Sequence, residues 1–234
     1  KAAGQRSINN LVDISNYVLL EMGHPTHIFD YDIIPSNTIA IRRVKNDKMI
    51  TTLDEEKRKL SKQQLLITDG KKPIALAGIM GGLESAVQDK TKTVFVESAY
   101  FDPVTIRKGS KELGLLTEAS RRFERGADVN AVETALWRVI NLLQEHAGGE
   151  LVPGIIDEYP GKFKPKSISM RRNELDLFAG CNISDKEVNM ILNGLNIIHE
   201  KKIDLWKCTP PSFRPDLERE ADLIEEIIRV YGYD

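Results

Sequence analysis

Residues 7–22, SINNLVDISNYVLLEM, set Ile8, Leu11, Val12, Ser15, Val18, Leu19 and Met22 at spacings of three and four. That is the period of one helical face, so an amphipathic helix is expected there, with Ser7 as its N-cap and Gly23 as its stop. Beyond Pro25 the pattern changes to short apolar runs between turn residues: TIAIRRV, MITTLD, LLITDG, PIALAGIM and TVFVESAYF. These read as strands, with DGKKP as a hairpin turn. From Asp102 the helical period returns, first in PVTIRKGSKEL and then in ADVNAVETALWRVINLLQEHAGG, where Ala131, Ala135, Val139 and Leu142 share a face and Gly148 closes the helix.

The stretch VPGIIDEYPGKFKPK breaks this periodicity with three prolines and two glycines, and a connector over 151–166 is expected. After it SISMRR has strand character, NELDLFAG and SDKEVNMILNGL read as short helices, KKIDLWKCTPPS as a strand and LEREADLIEEIIRVYGYD as a closing helix. The expected fold class is α+β in two domains. A mixed sheet with packed helices occupies 1–150, and a small α+β domain occupies 167–234, near the size at which an isolated core becomes marginal.

Composition narrows the function classes. The 234 residues carry 33 Lys plus Arg against 35 Asp plus Glu, with 41% hydrophobic residues, which excludes intrinsic disorder. A net charge of −2 supplies no large basic field, so tight non-specific binding of nucleic acid is disfavoured while local patches stay open. Cys181 and Cys208 are too few for a disulfide scaffold and fit reduced thiols in a cytosolic protein. No run approaches the ~18 consecutive apolar residues of a membrane helix, and KAAGQRSINN lacks the apolar segment of a secretory signal. The chain opens without Met and closes on VYGYD, as expected of a segment of a longer protein.

Several stretches carry candidate chemistry. PIALAGIMGGLES puts Gly78, Gly81 and Gly82 directly after an expected strand, where glycine admits positive φ or close approach of a ligand. The run lacks a phosphate-loop Lys-Ser/Thr and the dinucleotide spacing, so by itself it reads as a tight turn. Glu97 sits among apolar residues in TVFVESAYF, and a half-buried acid needs a partner: an arginine of the later helices, or a ligand. His24 and His27 flank a proline in GHPTHIF, which argues against the helical two-His geometry of a zinc site. There is no GxSxG elbow, nucleophilic-Cys motif or kinase signature, so any hydrolysis would proceed through water.

Two charged stretches remain. RKGSKELGLLTEASRRFERG gathers Arg107, Lys108, Lys111, Arg121, Arg122 and Arg125, but Glu112, Glu118 and Glu124 dilute the field, so a solvated helix surface competes with phosphate contacts. In the last helix Asp222, Glu225 and Glu226 fall at i, i+3 and i+4 with Asp216 before them, while Leu217, Ala221, Ile224, Ile228 and Tyr231 line the other face. Such carboxylates suit Mg²⁺, and they are also favoured near a helix N-terminus by the dipole alone.

Taken in order, RSINNLVDISNYVLLEMGHPTHIFD, ALAGIMGGLES, VESAYFDPVTIRK, GLLTEASRRFERGAD and SFRPDLEREADLIEEIIRVYGYD resemble successive signatures of the beta subunit of bacterial phenylalanyl-tRNA synthetases. The resemblance spans essentially the whole chain and covers only the middle of such a subunit, an editing module and the small domain after it. It implies hydrolysis of mischarged Tyr-tRNA(Phe), with the ATP-dependent aminoacylation site in the alpha subunit, outside this segment. Matched motif to motif, the editing pocket would draw Ser15 and Asn16 from DISNYV, His27 from HPTHIF, Ala77 and Gly78 from ALAGIMGG, Glu97 from FVESAY, and Thr117 and Ala119 from LLTEAS. Departures from the family pattern are Ser15 in place of Thr, His24 in place of Gln, and Glu55 and Glu56 in place of Gly after TLD.

By the same resemblance Glu97 would read the tyrosine hydroxyl, and His27 would orient the ester or a water with Asn16 and Thr117 in support. A site that hydrogen-bonds a hydroxyl can reject the analogue lacking it by about 10⁴–10⁵. Asp216, Asp222, Glu225 and Glu226 would hold Mg²⁺ near the alpha subunit. Further implications are tRNA(Phe) and the alpha subunit as partners, no membrane, an alpha2beta2 parent enzyme that uses ATP, and a cytoplasmic location. The alternative is a non-catalytic module that packs on tRNA and the alpha subunit. Glu97 separates the two: it faces a pocket with His27 and Gly78 for editing, or pairs with an arginine in the core for interaction.

Overall fold

A computed structural model describes residues 4–34 and 38–232, which divide into two compact units, Lys1–Ile155 and Ile156–Asp234. The first unit opens with α1 (Asn10–Met22). Asn9 caps it rather than Ser7: the Asn9 side chain accepts from the Val12 amide at 2.9 Å, whereas the Ser7 hydroxyl bonds Asp13. Gly23 ends the helix at φ 69°, in the left-handed region that glycine enters without a Cβ clash.

The chain then runs through β1 (Thr26–Asp30), β2 (Ala40–Arg43), β3 (Met49–Thr51), β4 (Lys57–Lys59), β5 (Leu65–Thr68), β6 (Pro73–Leu76), β7 (Met80–Gly81) and β8 (Val94–Ser98). Three helices follow, α2 (Pro103–Leu113), α3 (Glu118–Glu124) and α4 (Val132–Ala147). The fold is α+β. Among the described residues all strand pairs of this unit are antiparallel and fall into three small sheets, β1–β8, β2–β5–β6–β7 and β3–β4, rather than one mixed sheet. β1 and β4 escape an apolar-run criterion, because THIFD and KRK carry too many polar residues.

Two apolar clusters hold this unit. One surrounds Phe29, Leu66, Ile67, Leu76, Ile106 and Phe123; in the other, Ile14 and Val18 of α1 meet Ala135, Val139 and Leu142 of α4. Fully burying each large side chain is worth roughly 1.5–3 kcal/mol, so α1 and α4 hold one another through a seam that keeps Val18, Ala135, Val139 and Leu142 of the expected stripes, adds Ile14 and leaves Ile8 exposed. α2 spans the expected residues, capped by Asp102, whose side chain accepts from the Thr105 amide at 2.8 Å. α3 begins at a reciprocal capping pair, Thr117 and Ser120.

The second unit contains β9 (Ile168–Arg171), α5 (Arg172–Ala179), α6 (Asp185–Gly194), β10 (Ile198–Lys201), β11 (Leu205–Thr209) and α7 (Glu220–Tyr231), with strand order β10–β11–β9. Its core gathers Met170, Leu175, Val188, Leu192, Trp206 and Leu223. The buried Trp206 indole donates to Asn189 Oδ1 at 2.8 Å, so its one polar atom is satisfied. α7 buries Leu223, Ile224 and Ile227, while Ala221 and Tyr231 are exposed. Of the expected stripe, Ile224 and, before the helix, Leu217 are buried and Ile228 packs partly against the same core, while Leu223 and Ile227 join them in place of Ala221 and Tyr231. Cys181, exposed, and Cys208, buried, are both free. Among the described residues no helix is long and apolar enough to cross a membrane.

Candidate functional site

In the β1–β8 pair, His27 stands directly opposite Glu97. Both line a cavity of about 70 Å³ together with Thr26, Gly78, Gly81, Phe101, Ala119 and Phe123. The local sequence explains why these side chains converge. Antiparallel register sets His27 and Glu97 on the same face, and the turn between β6 and β7 brings the glycines up to them. Gly78 takes φ 67°, and a Cβ there would lie 2.8 Å from both Ile106 Cδ1 and Phe101 Cδ2. At Gly81 a Cβ would sit 2.5 Å from His27 Cε1 and 2.7 Å from its Nε2. Each glycine is required: one by backbone angle and an aromatic wall, the other by the imidazole ring.

The electrostatics of the pair are unusual. His27 Nε2 is buried with no hydrogen-bond partner, and its ring meets Phe29 edge-on with centroids 4.4 Å apart. Burial lowers the imidazole to about 4, so the ring is neutral at pH 7. Burial also raises the Glu97 carboxyl to about 7. No lysine or arginine pairs with Glu97 among the described residues. A cavity thus holds a neutral imidazole and a carboxyl poised between its two charge states, the kind of perturbed pair that clusters at functional sites.

The remaining expected residues occupy distinct places. Ser15 donates to the Thr26 carbonyl at 2.8 Å and lies 3.0 Å from the Thr26 hydroxyl, fastening α1 to the strand that carries His27. Asn16, next on α1, is half-buried and does not line the cavity. Thr117 donates to the Ile79 carbonyl at 2.8 Å and accepts from the Ser120 amide at 3.0 Å, tying the start of α3 to the glycine turn. Ala119 lines the cavity, and Ala77 is buried beside it with its amide on the Leu65 carbonyl at 3.0 Å. The aromatic walls Phe101 and Phe123, perpendicular at 5.1 Å, are not marked by the sequence pattern; its one signal is that Phe101 ends the apolar run bearing Glu97.

His24 does not reach the cavity. It is buried against Phe123, with centroids 6.2 Å apart and neither ring nitrogen hydrogen-bonded. Burial holds its imidazole below the ordinary range, opposed by Asp128 and by the Ala99 backbone, which falls short of a hydrogen bond. In the basic stretch Arg121 and Arg122 both pair with Glu118, at 3.4 and 3.0 Å.

In the second unit the acidic helix is neutralised from within. Arg214 binds Asp216 at 2.6 Å and Glu226 at 3.0 Å, and Arg229 binds Glu226 at 2.8 Å. These two arginines, Arg229 first, hold the Glu226 carboxyl down at about 2. Asp222 accepts from the Glu218 and Arg219 amides at 3.0 and 2.8 Å, closing the start of α7, and Glu225 is exposed. Among the described residues no group of three or more His, Cys, Asp or Glu is placed to hold a metal ion. Of the four expected Mg²⁺ ligands, Asp216, Asp222 and Glu226 are thus engaged by arginines, Asp222 by Arg219 at 3.0 Å, and Glu225 stands apart from them in solvent.

With that geometry in hand, the similarities to known proteins are specific. The B3/4 domain matches residues 1–148 and the tRNA synthetase B5 domain residues 168–233. The phenylalanine–tRNA ligase beta subunit of Thermotoga maritima is 45% identical over 233 residues, covering 100% of this chain and 29% of that protein. The Geobacter sulfurreducens subunit of the same name is 46% identical over 238 residues, with the same coverage. A solved N-terminal fragment of the phenylalanyl-tRNA synthetase beta-subunit from Pyrococcus horikoshii is similar at 17% identity and a TM-score of 0.44, over 95% of this chain and 65% of that one. The chain spans 29% of the length of the two bacterial relatives. It belongs to the B3/4 domain family, carries a B5 domain after it, and is similar along its whole length to a segment of the bacterial phenylalanine–tRNA ligase beta subunit.

Proposed function

We propose that the B3/4 unit is an editing hydrolase that releases tyrosine from mischarged Tyr-tRNA(Phe). The observation that carries this reading is Glu97: it faces a cavity beside Gly78 and opposite His27, and among the described residues no arginine pairs with it. A tyrosine phenol donates to the Glu97 carboxylate, whereas phenylalanine leaves a buried acid unpaired, and that difference is where discrimination arises. The interaction-module alternative calls for Glu97 to be tied up in the core, which is not its position.

Water is the nucleophile. His27, neutral, offers a ring nitrogen as acceptor and so orients a water toward the ester carbonyl; at a pKa of about 4 it positions the water rather than holding its proton. Phe101 and Phe123 flank the aromatic ring, and Gly78 and Ala119 leave room for it. Ser15 and Thr117 act at one remove, by fixing β1 and the glycine turn. In the parent enzyme, an alpha2beta2 cytoplasmic assembly, the alpha subunit uses ATP to charge tRNA(Phe) and this segment removes the errors.

The test is deacylation of Tyr-tRNA(Phe) by this chain, with Phe-tRNA(Phe) as control. Selective release of tyrosine is expected. Equal release of both amino acids, or release of neither by folded protein, contradicts the proposal.

A further inference from the structure

A second depression lies on the first unit, at the junction of β2, the segment before β5, and α2. It has a volume of about 240 Å³ and is lined by Arg43, Lys62, Gln63, Val104, Thr105 and Lys108. Three of the six lining residues are cations and none is a carboxylate. Among the described residues Arg43, Lys62 and Lys108 form no ion pair. Like charges gathered without a direct ion pair repel one another, and an anion between them relieves that repulsion.

The nearby acids are engaged elsewhere. Asp102 accepts from the Thr105 amide at 2.8 Å and its hydroxyl at 2.7 Å, capping α2. Those bonds, with the fields of Arg43 and Lys108 behind them, hold its carboxyl below the usual range. Glu112 stands one helical turn beyond Lys108, but its Oε2 accepts from Ser61 at 2.8 Å and Gln64 at 3.1 Å. With Asp102 and Glu112 both counted, the three cations still leave an excess of one positive charge at the cleft.

Arg43 is also held in place. Its guanidinium reaches the Gln63 carbonyl at 3.3 Å and the Thr105 hydroxyl at 3.4 Å, long bonds that orient the fork and leave its other N–H donors available. A planar fork beside two ammonium groups matches a tetrahedral oxyanion: arginine gives direction and lysine gives charge.

The cleft is also close to the editing cavity along the chain. Phe101 lines the cavity and Val104 the cleft, so their Cα atoms lie within about 11 Å even if the backbone between them were fully extended. An ester bound in the cavity hangs from the terminal ribose of an RNA strand, and the phosphates of that strand must leave the cavity across neighbouring surface. We infer that Arg43, Lys62 and Lys108 seat a backbone phosphate of the RNA strand whose aminoacyl end enters the cavity. The identity of the strand rests on the editing proposal; the phosphate chemistry of the cleft does not.

The test is binding of deacylated tRNA(Phe) to this chain across a series of salt concentrations, for wild type and for Arg43→Gln/Lys62→Gln/Lys108→Gln. A second triple variant of equal charge change, Lys48→Gln/Lys57→Gln/Lys59→Gln at the β3–β4 hairpin, controls for net charge. The cleft variant is expected to bind at least tenfold more weakly at 0.1 M salt, with its log–log salt slope reduced by about 0.7 for each phosphate it no longer neutralises. The hairpin variant is expected to change little. Equal weakening in both variants, an unchanged slope in the cleft variant, or absence of tRNA binding by wild type overturns the inference. So does saturation of the cleft by inorganic phosphate, followed by NMR, without any loss of tRNA binding, because that marks a free-anion site. Tyrosine release is followed in the same samples, with a rise in KM and little change in kcat expected in the cleft variant. If wild type binds tRNA through the cleft yet releases no tyrosine, the editing proposal fails while the phosphate seat stands.

Discussion

The imidazole of His27 occupies the space where residue 81 would carry a Cβ: an atom built there would lie 2.5 Å from Cε1 of the ring. Gly81 is thus part of how His27 is aimed. The neighbouring Leu53, 3.1 Å from the same point, blocks the other way out.

Gly81→Ala is expected to force the ring out of the cavity, lowering tyrosine release by 10-fold or more and destabilising the unit by about 1–3 kcal/mol, the usual range for overpacking. Adding His27→Ala should restore stability but not hydrolysis. Thermal unfolding and deacylation on the double-mutant cycle check both halves.

The two groups across the strand pair shift stability with pH in opposite senses. Between about pH 4.5 and 7 the folded chain keeps a proton on Glu97 that the unfolded chain has lost, so this group's contribution falls as pH rises. Between about pH 4 and 6.5 the unfolded chain protonates a histidine that the fold keeps neutral, so the His27 contribution falls as pH drops. Glu97→Gln should therefore stabilise the protein at pH 7.5 by about 1–2 kcal/mol, after allowance for water reaching the carboxyl through the cavity. At pH 4.5 the gain should vanish. Urea unfolding at the two pH values measures the difference.

Thr117 is expected to act through position. Thr117→Val removes the bond to the Ile79 carbonyl and the cap on the Ser120 amide together, and should cost about 1–2 kcal/mol of stability with a parallel loss of hydrolysis. Thr117→Ser keeps both bonds and should retain most of each, as melting curves and rates will show.

The α7 acids predict indifference to metal removal. Because Arg214 bridges Asp216 and Glu226, a chelator should leave the unfolding transition of wild type unchanged. Arg214→Gln should destabilise by about 1 kcal/mol and make the transition respond to millimolar Mg²⁺, since it frees Asp216 and leaves Glu226 to Arg229 alone. A fall in wild-type melting temperature with chelator would show that a cation outweighs the arginine.

Periodicity locates most helices closely, because α1, α2 and α4 each bury one continuous stripe. It does not find β1, the strand that carries His27, since THIFD alternates polar and apolar residues too briefly to stand out from a loop. Nor can it set His27 against Glu97: the residues are seventy apart, and only the antiparallel register joins them. The glycine run is visible as a turn, but what each glycine accommodates depends on side chains from β1 and α2. The spacing of Asp216 before α7 and of Asp222, Glu225 and Glu226 on it looks like a metal site, and Arg214, before the helix, changes that meaning by reaching Asp216 and Glu226.

The most direct measurement is the ratio of tyrosine to phenylalanine release from tRNA(Phe) by wild type and by Glu97→Ala, at equal protein concentration. Wild type should favour tyrosine strongly, and the variant should lose that preference by a factor of about 10² or more, because the group that reads the hydroxyl is gone. A Glu97→Ala protein that still prefers tyrosine as wild type does would contradict the assignment of Glu97 and, with it, the editing site built around the pair.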